Sequence, residues 1–265
     1  VSAIGVFDSG VGGLTVVAAL ERRLPEESIL YLGDTARLPY GTKSPATVTR
    51  YTQRNIDFLL AREVKAVVVA CNTASALALG HIEPHYLGDA VPLFGVIEPG
   101  ATQAAAVSRG RVGVIATEST VRSDAYPAAI RRQAPDFAVY SAACPLFVPL
   151  VEEGWQDDPI TTEVAQRYLA PLLAEGIDTL VLGCTHYPLL RATLQAVVGP
   201  AVGLVDSAEA VAAEVETRLR SAGLLAAARE GRSHFCLTDG NPSFANLATR
   251  ILGRDDLSFE LVDVS

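Results

Sequence analysis

The sequence has almost no lysine: Lys43 and Lys65 are the only two among 265 residues. A pyridoxal enzyme holds its cofactor as a Schiff base on a lysine. Lys43 lies in a loop beside Ser44-Pro45 and Lys65 just before a strand-like run, so neither marks a cofactor site. Long apolar runs are also missing. Stretches such as Leu224 to Ala228 fall far below the ~18 residues of a membrane-spanning helix, so no membrane partner is expected. The opening Val1-Ser2-Ala3 lacks Met, as after processing or omission of a residue, and no basic stretch leads into an apolar one. No signal peptide is expected from it. Basic residues are scattered, as in Arg22-Arg23 and Arg131-Arg132, and the net charge is −9. Nucleic-acid binders carry a clustered basic stripe, so no nucleic-acid partner is expected. Cysteine is scarce, with Cys71, Cys144, Cys184 and Cys236 in no close pairing pattern. Free thiols in a reducing cytoplasm are the expectation.

What is present is a globular composition, 49% hydrophobic and 19% charged, long enough for one large or two smaller domains. Short apolar runs alternate with longer amphipathic stretches. Strands are expected at 3–7, 28–32, 66–70, 93–96, 112–116, 137–141, 179–182, 203–205 and 235–238. Helices are expected at 14–23, 45–62, 99–108, 123–133, 160–175, 188–198, 208–222 and 242–252. Ser44 before Pro45 is an N-cap and first-turn pair. The alternation implies α/β architecture with mostly parallel sheets flanked by helices.

Two cysteines occupy matching settings. Cys71 follows Val67-Val68-Val69-Ala70, and Cys184 follows Leu180-Val181-Leu182-Gly183. Each run reads as a buried parallel strand, and each cysteine precedes small polar residues. Ligands of open α/β sheets bind at carboxyl ends of strands, so two such thiols can flank one small molecule. That is a two-base proton-transfer site, and it points to a cofactor-free racemase or epimerase. There is a weak internal echo, Gly5-Val6-Phe7-Asp8-Ser9 against Gly113-Val114-Ile115-Ala116-Thr117. It fits two similar halves, each giving one cysteine to a shared cleft, with 97–207 as a second domain inserted between 1–96 and 208–265.

Other residues gather around these two. Asp8, at a strand end before the Gly-rich 10–13 turn, is an N-cap or an orienting group. His186 stands two residues after Cys184 and is placed to assist its ionisation. The loop 33–44 holds an Asp34–Arg37 pair or covers substrate with the Tyr40-Gly41 backbone. Cys144 and Cys236 read as structural. No metal is expected: Pro84 breaks the helix that a His81…His85 pair would need, and Cys184-x-His186 and His234-x-Cys236 lack standard zinc spacing.

The blocks DSGVGGLTV (8–16), GDTARLPYGTKS (33–44), ACNTAS (70–75), GVIEPG (95–100), GVIATESTVRSDAY (113–126), FVPLVEEG (147–154) and LGCTHYPLL (182–190) resemble the glutamate racemases of the aspartate/glutamate racemase superfamily. The resemblance implies two α/β domains with the active site between them, and cofactor-free interconversion of L- and D-glutamate for bacterial peptidoglycan. It implies that Cys71 takes the α-proton of D-glutamate and Cys184 that of L-glutamate. Asp8 would support Cys71, while His186 and Glu152 would act at the Cys184 side. Asp8, Ser9, Tyr40, Gly41, Asn72, Thr73, Thr117, Thr120, Thr185 and His186 would bind the substrate. A cytoplasmic homodimer is implied as well. Aspartate or another amino acid is the alternative substrate, and a non-catalytic small-molecule binding protein the alternative class. No role follows for 81–87.

Overall fold

The structure is a computed structural model that describes residues 2–82, 91–228, 233–240 and 242–264. Most of the 81–87 stretch, including Pro84 and His85, lies outside the described residues. Two sheets carry the chain, and every strand pairing in both is parallel. The first contains β1 (Ile4–Asp8), β2 (Ile29–Gly33), β3 (Ala66–Val69), β4 (Leu93–Gly95), β9 (His234–Leu237) and β10 (Phe259–Leu261), ordered β10-β9-β2-β1-β3-β4. The second contains β5 (Arg111–Ala116), β6 (Ala138–Ala143), β7 (Thr179–Gly183) and β8 (Gly203–Asp206), ordered β6-β5-β7-β8. Two parallel-sheet domains flanked by helices result.

The sheets share one plan. Within each, the first strand is flanked by the second and third, and the fourth lies outside the third. Gly5 pairs with Val67, four residues before Cys71 (71 − 67), and Gly113 pairs with Leu180, four before Cys184 (184 − 180). The two cysteines therefore leave equivalent strands at equivalent heights. The connections between the shared strands differ in length, and the first sheet adds β9 and β10 beyond β2.

The helices are α1 (Leu14–Arg23), α2 (Pro45–Leu60), α3 (Asn72–Ala78), α4 (Ile97–Val107), α5 (Glu118–Arg122), α6 (Ala125–Gln133), α7 (Phe147–Glu152), α8 (Pro159–Ala174), α9 (Arg191–Val198), α10 (Ser207–Ser221) and α11 (Pro242–Leu252). β1, β2, β3 and β7 are buried along their whole length, as strands covered on both faces must be. Each fully buried aliphatic side chain stabilises the fold by ~1.5–3 kcal/mol. Ser44 caps α2 as expected, accepting the Thr47 N–H at 3.4 Å ahead of Pro45.

Several boundaries differ from expectation, for local reasons. α4 starts at Ile97, two residues before Pro99, because first-turn N–H groups have no helical partner and proline loses nothing there. Pro149 hides α7 from the sequence in the same way. The helix expected over 123–133 begins at Ala125, behind Asp124 in the left-handed region at φ 54°, and a separate α5 precedes it. β10 is a three-residue edge strand with no apolar run to announce it.

Candidate active site

The expected site residues converge where the carboxyl ends of the two sheets face each other. Asp8 ends β1, Cys71 follows β3, Thr117 follows β5 and Cys184 follows β7. Cys71, Cys184, Asp8, Asn72, Thr73, Thr120, Thr185 and His186 are all buried.

Cys71 is the N-cap of α3, and its sulfur accepts the Ala74 N–H at 3.4 Å. Ser9 Oγ lies 3.6 Å from the same sulfur. Burial pushes the Cys71 thiol up to about 12, and the Asp8 charge adds to the rise, while the Ala74 and Ser9 contacts pull it down. The Asp8 charge thus holds the Cys71 thiol up rather than easing its ionisation, and Ser9 is a side chain that touches the thiol. Asp8 spends its oxygens elsewhere. Gly10 N–H donates to Oδ2 at 2.9 Å and the Thr185 hydroxyl to Oδ1 at 3.5 Å. Burial raises its carboxyl above the usual range, against the pull of His186 and the N–H groups of Gly10, Gly13 and Ser9.

Cys184 has different company. Its sulfur lies 4.0 Å from His186 Nδ1, and His186 Nε2 lies 3.1 Å from Glu152 Oε1 at the end of α7. Burial alone would lower the imidazole pKa. The hydrogen bonds and charges of Cys184 and Glu152 outweigh it and push His186 up to about 10. The Cys184 charge also raises Cys71. Two like charges in one water-poor cleft disfavour each other.

The domains are joined across this cleft. Thr73 Oγ1 lies 3.0 Å from Thr117 Oγ1 and 3.3 Å from Thr120 Oγ1, and the latter two are 3.0 Å apart. Asn72 Nδ2 donates to Tyr126 Oη at 2.8 Å, whereas Asn72 Oδ1 is buried without a hydrogen-bond partner. The Gly41 carbonyl accepts from Ser119 Oγ at 2.5 Å. Thr15 Oγ1 donates to Thr185 O at 3.1 Å. Gly12 closes the contact, because a Cβ there would stand 2.4 Å from Thr185 Oγ1 and 2.5 Å from His186 Nδ1.

The loop that carries Tyr40 is held from beneath. Arg37 Nε donates to Asp34 Oδ1 at 2.8 Å, which is the expected pair. The Tyr40 hydroxyl donates to Asp34, and Asn55 Nδ2 reaches Tyr40 Oη at 3.0 Å. The Tyr40 ring is thereby pinned in the first domain and its backbone faces the cleft's partner helix, α5. Cys144 is buried at the end of β6, where its carbonyl accepts the Tyr187 hydroxyl at 2.9 Å.

Sequence reasoning missed Thr15, Tyr31, Asn55, Ser119, Tyr126 and Ser207. The Tyr31 hydroxyl donates to Gly10 O at 2.5 Å and holds the Gly-rich turn, and Ser207 Oγ lies 3.5 Å from Asn72 Nδ2. Ser119 and Tyr126 lie inside the 113–126 block and were open to notice. Tyr31, Asn55 and Ser207 carry no local signal, since only the fold brings them to the site.

The model of the Asp/Glu/Hydantoin racemase family matches residues 8–215. A glutamate racemase of Geobacter metallireducens is 53% identical over 95% of this chain and 93% of its own. The solved structure of a glutamate racemase isoform from Bacillus anthracis superposes with a TM-score of 0.93 at 41% identity, covering 99% of this chain and 97% of that one. The glutamate racemase of Francisella tularensis, solved in complex with D-glutamate, superposes at 0.92 with 37% identity over 100% and 98% of the two chains.

Proposed function

Because the chain belongs to the Asp/Glu/Hydantoin racemase family, and so is an isomerase acting on amino acids, we propose that it interconverts L- and D-glutamate by two-base proton transfer between Cys71 and Cys184. The observation that carries this reading is the pair itself. Two buried thiols leave equivalent strands of two like sheets and meet in one cleft, each with its own set of partners.

Inversion at the α-carbon removes a proton from one face and returns one to the other. In the D-to-L direction the Cys71 thiolate takes the α-proton, the carbanion forms, and the Cys184 thiol delivers its proton to the opposite face. The reverse direction exchanges the roles. After each turnover the thiolate and thiol have swapped places, which suits a site whose charges disfavour two thiolates at once. His186, held by Glu152, stabilises the Cys184 thiolate as an imidazolium. On the other side, Ala74 N–H and Ser9 stabilise the Cys71 thiolate.

The carbanion needs fixed donors in a dry site. The hydroxyls of Thr73, Thr117, Thr120 and Thr185, with the Tyr40-Gly41 backbone, serve the substrate carboxylates. The unpartnered Asn72 Oδ1 and the Asp8 carboxylate accept from its ammonium group. A buried acceptor left without a donor costs about 1–3 kcal/mol, and an amino acid in the cleft relieves it.

The same proposal covers supply of D-glutamate to peptidoglycan in the cytoplasm, and a homodimer. Among the described residues no helix is long and apolar enough to cross a membrane. Leu146 ahead of α7, and Trp155 and Ile160 about the start of α8, leave apolar side chains exposed, which supports self-association; sedimentation equilibrium tests it.

Proton NMR in D₂O, with circular dichroism, tests the activity on L-glutamate, D-glutamate and L-aspartate in turn. Loss of the α-proton signal and of optical activity with glutamate, abolished by Cys71→Ala and by Cys184→Ala, is the expected result. Exchange with aspartate alone changes the substrate. Full activity in either cysteine variant overturns the two-base reading.

A further inference from the structure

His234, Cys236 and Glu260 take no part in this chemistry. They lie at the edge of the six-stranded sheet, on β9 and β10. His234 and Cys236 are two apart on one strand and share a face. Glu260 is the register partner of Cys236 and stands on that face from the neighbouring strand. His234 Nε2 lies 2.7 Å from Glu260 Oε2, Cys236 Sγ lies 4.0 Å from the same oxygen, and the three donor atoms all fall within 4.8 Å of one another. We propose that this cluster is a divalent-metal site of the zinc class, with His234, Cys236 and Glu260 as three ligands and water as the fourth.

Bonds of ~2.0–2.3 Å in a tetrahedron place neighbouring donor atoms about 3.3–3.6 Å apart. The separations here bracket that value. His234 and Glu260 are exposed, while Cys236 is buried and fixes the position. One nitrogen, one sulfur and one oxygen suit zinc, whereas magnesium and calcium take oxygen. The Cys236 thiolate and the Glu260 carboxylate together match a dication. Metal binding forms the metal–sulfur bond and releases the thiol proton to water, with no change of oxidation state. An ordinary exposed His–Glu contact would contribute little and would be indifferent to Cys236. The sequence holds only the His234-x-Cys236 half of the set; the third ligand arrives 24 residues later through a strand that the sequence did not announce. A metal there staples β10 to the rest of the sheet.

The test is a cobalt(II) titration of the reduced, metal-free full chain, followed by displacement with zinc. One cobalt per chain with a thiolate charge-transfer band, displaced by zinc, is the expected result. Cys236→Ser removes the band, and His234→Ala and Glu260→Gln each weaken binding more than about tenfold, since even groups behind the ligands cost 10–100-fold. Far-ultraviolet circular dichroism of the two exposed-site variants stays as in the parent, so they decide the matter if Cys236→Ser fails to fold. No cobalt band, a band that survives Cys236→Ser in folded protein, or unchanged binding in both His234→Ala and Glu260→Gln overturns the site.

Discussion

Gly12→Ala tests the Cys184 half of the mechanism without touching a reacting group. The added Cβ would stand 2.4 Å from Thr185 Oγ1 and 2.5 Å from His186 Nδ1, where ordinary contact begins at 3.4 Å. About 1 Å of movement is required (3.4 − 2.4), and it falls on the residues beside Cys184. A misplacement of ~1 Å near the chemistry costs ~10²-fold. The two enantiomers have equal free energy, so kcat/KM must fall equally in both directions and that number alone cannot say which side is damaged. Deuterium at the α-carbon can. If Cys184 takes the proton of L-glutamate, that step becomes limiting in the variant. The primary isotope effect on kcat/KM then grows with α-deuterated L-glutamate and shrinks with the D-enantiomer, whose C–D bond Cys71 breaks before the slow step. An unchanged kcat/KM would refute the steric argument. An isotope effect that grows with the D-enantiomer instead would refute the assignment of Cys184 to the L-face.

Asp8→Asn removes a charge that raises Cys71, so iodoacetamide should alkylate Cys71 faster at a given pH, followed by peptide mass spectrometry; slower alkylation would mean that Asp8 activates the thiol directly. Glu152→Gln should lower thermal stability by no more than ~1 kcal/mol at pH 6, since Glu152 is partly exposed. The His186 pKa is raised, so the pair's contribution is present at low pH and lost as pH passes through about 10, and the gap between variant and parent should close there. Lys65→Met strands Glu27, which is 2.5 Å from Lys65 Nζ with both side chains buried. Urea unfolding should show a loss of ~3–5 kcal/mol.

The strands β1 to β9 were legible because buried parallel strands are continuous apolar runs, and the two cysteines because each ends such a run; β10, a three-residue edge strand, was not. The echo of Gly5 in Gly113 was legible as residues but not as register; pairing Gly5 with Val67 and Gly113 with Leu180 made it a shared plan. The roles of partners were harder. His186 is two residues from Cys184 and was found by proximity, whereas the place of Ser9 beside the Cys71 sulfur depends on how the turn after β1 bends. Tyr31 and Asn55 act through contacts 21 and 15 residues away in sequence, a separation at which side-chain type alone says nothing. Pro99 was read as the first residue of its helix, although α4 begins two residues earlier at Ile97, because proline is tolerated throughout the first turn.

The chain order of the strands also sets an order of birth. All four strands of the smaller sheet lie between Arg111 and Asp206, while the larger one draws β9 and β10 from the last part of the chain. As the polypeptide leaves the ribosome, the smaller sheet has every strand in hand first. The domain that began synthesis must wait with β2 uncovered on one edge until His234 to Leu261 emerge. Half of the cleft is therefore shaped while the other half is still unfinished, and a truncation near the C-terminus harms the end of the molecule that was made first.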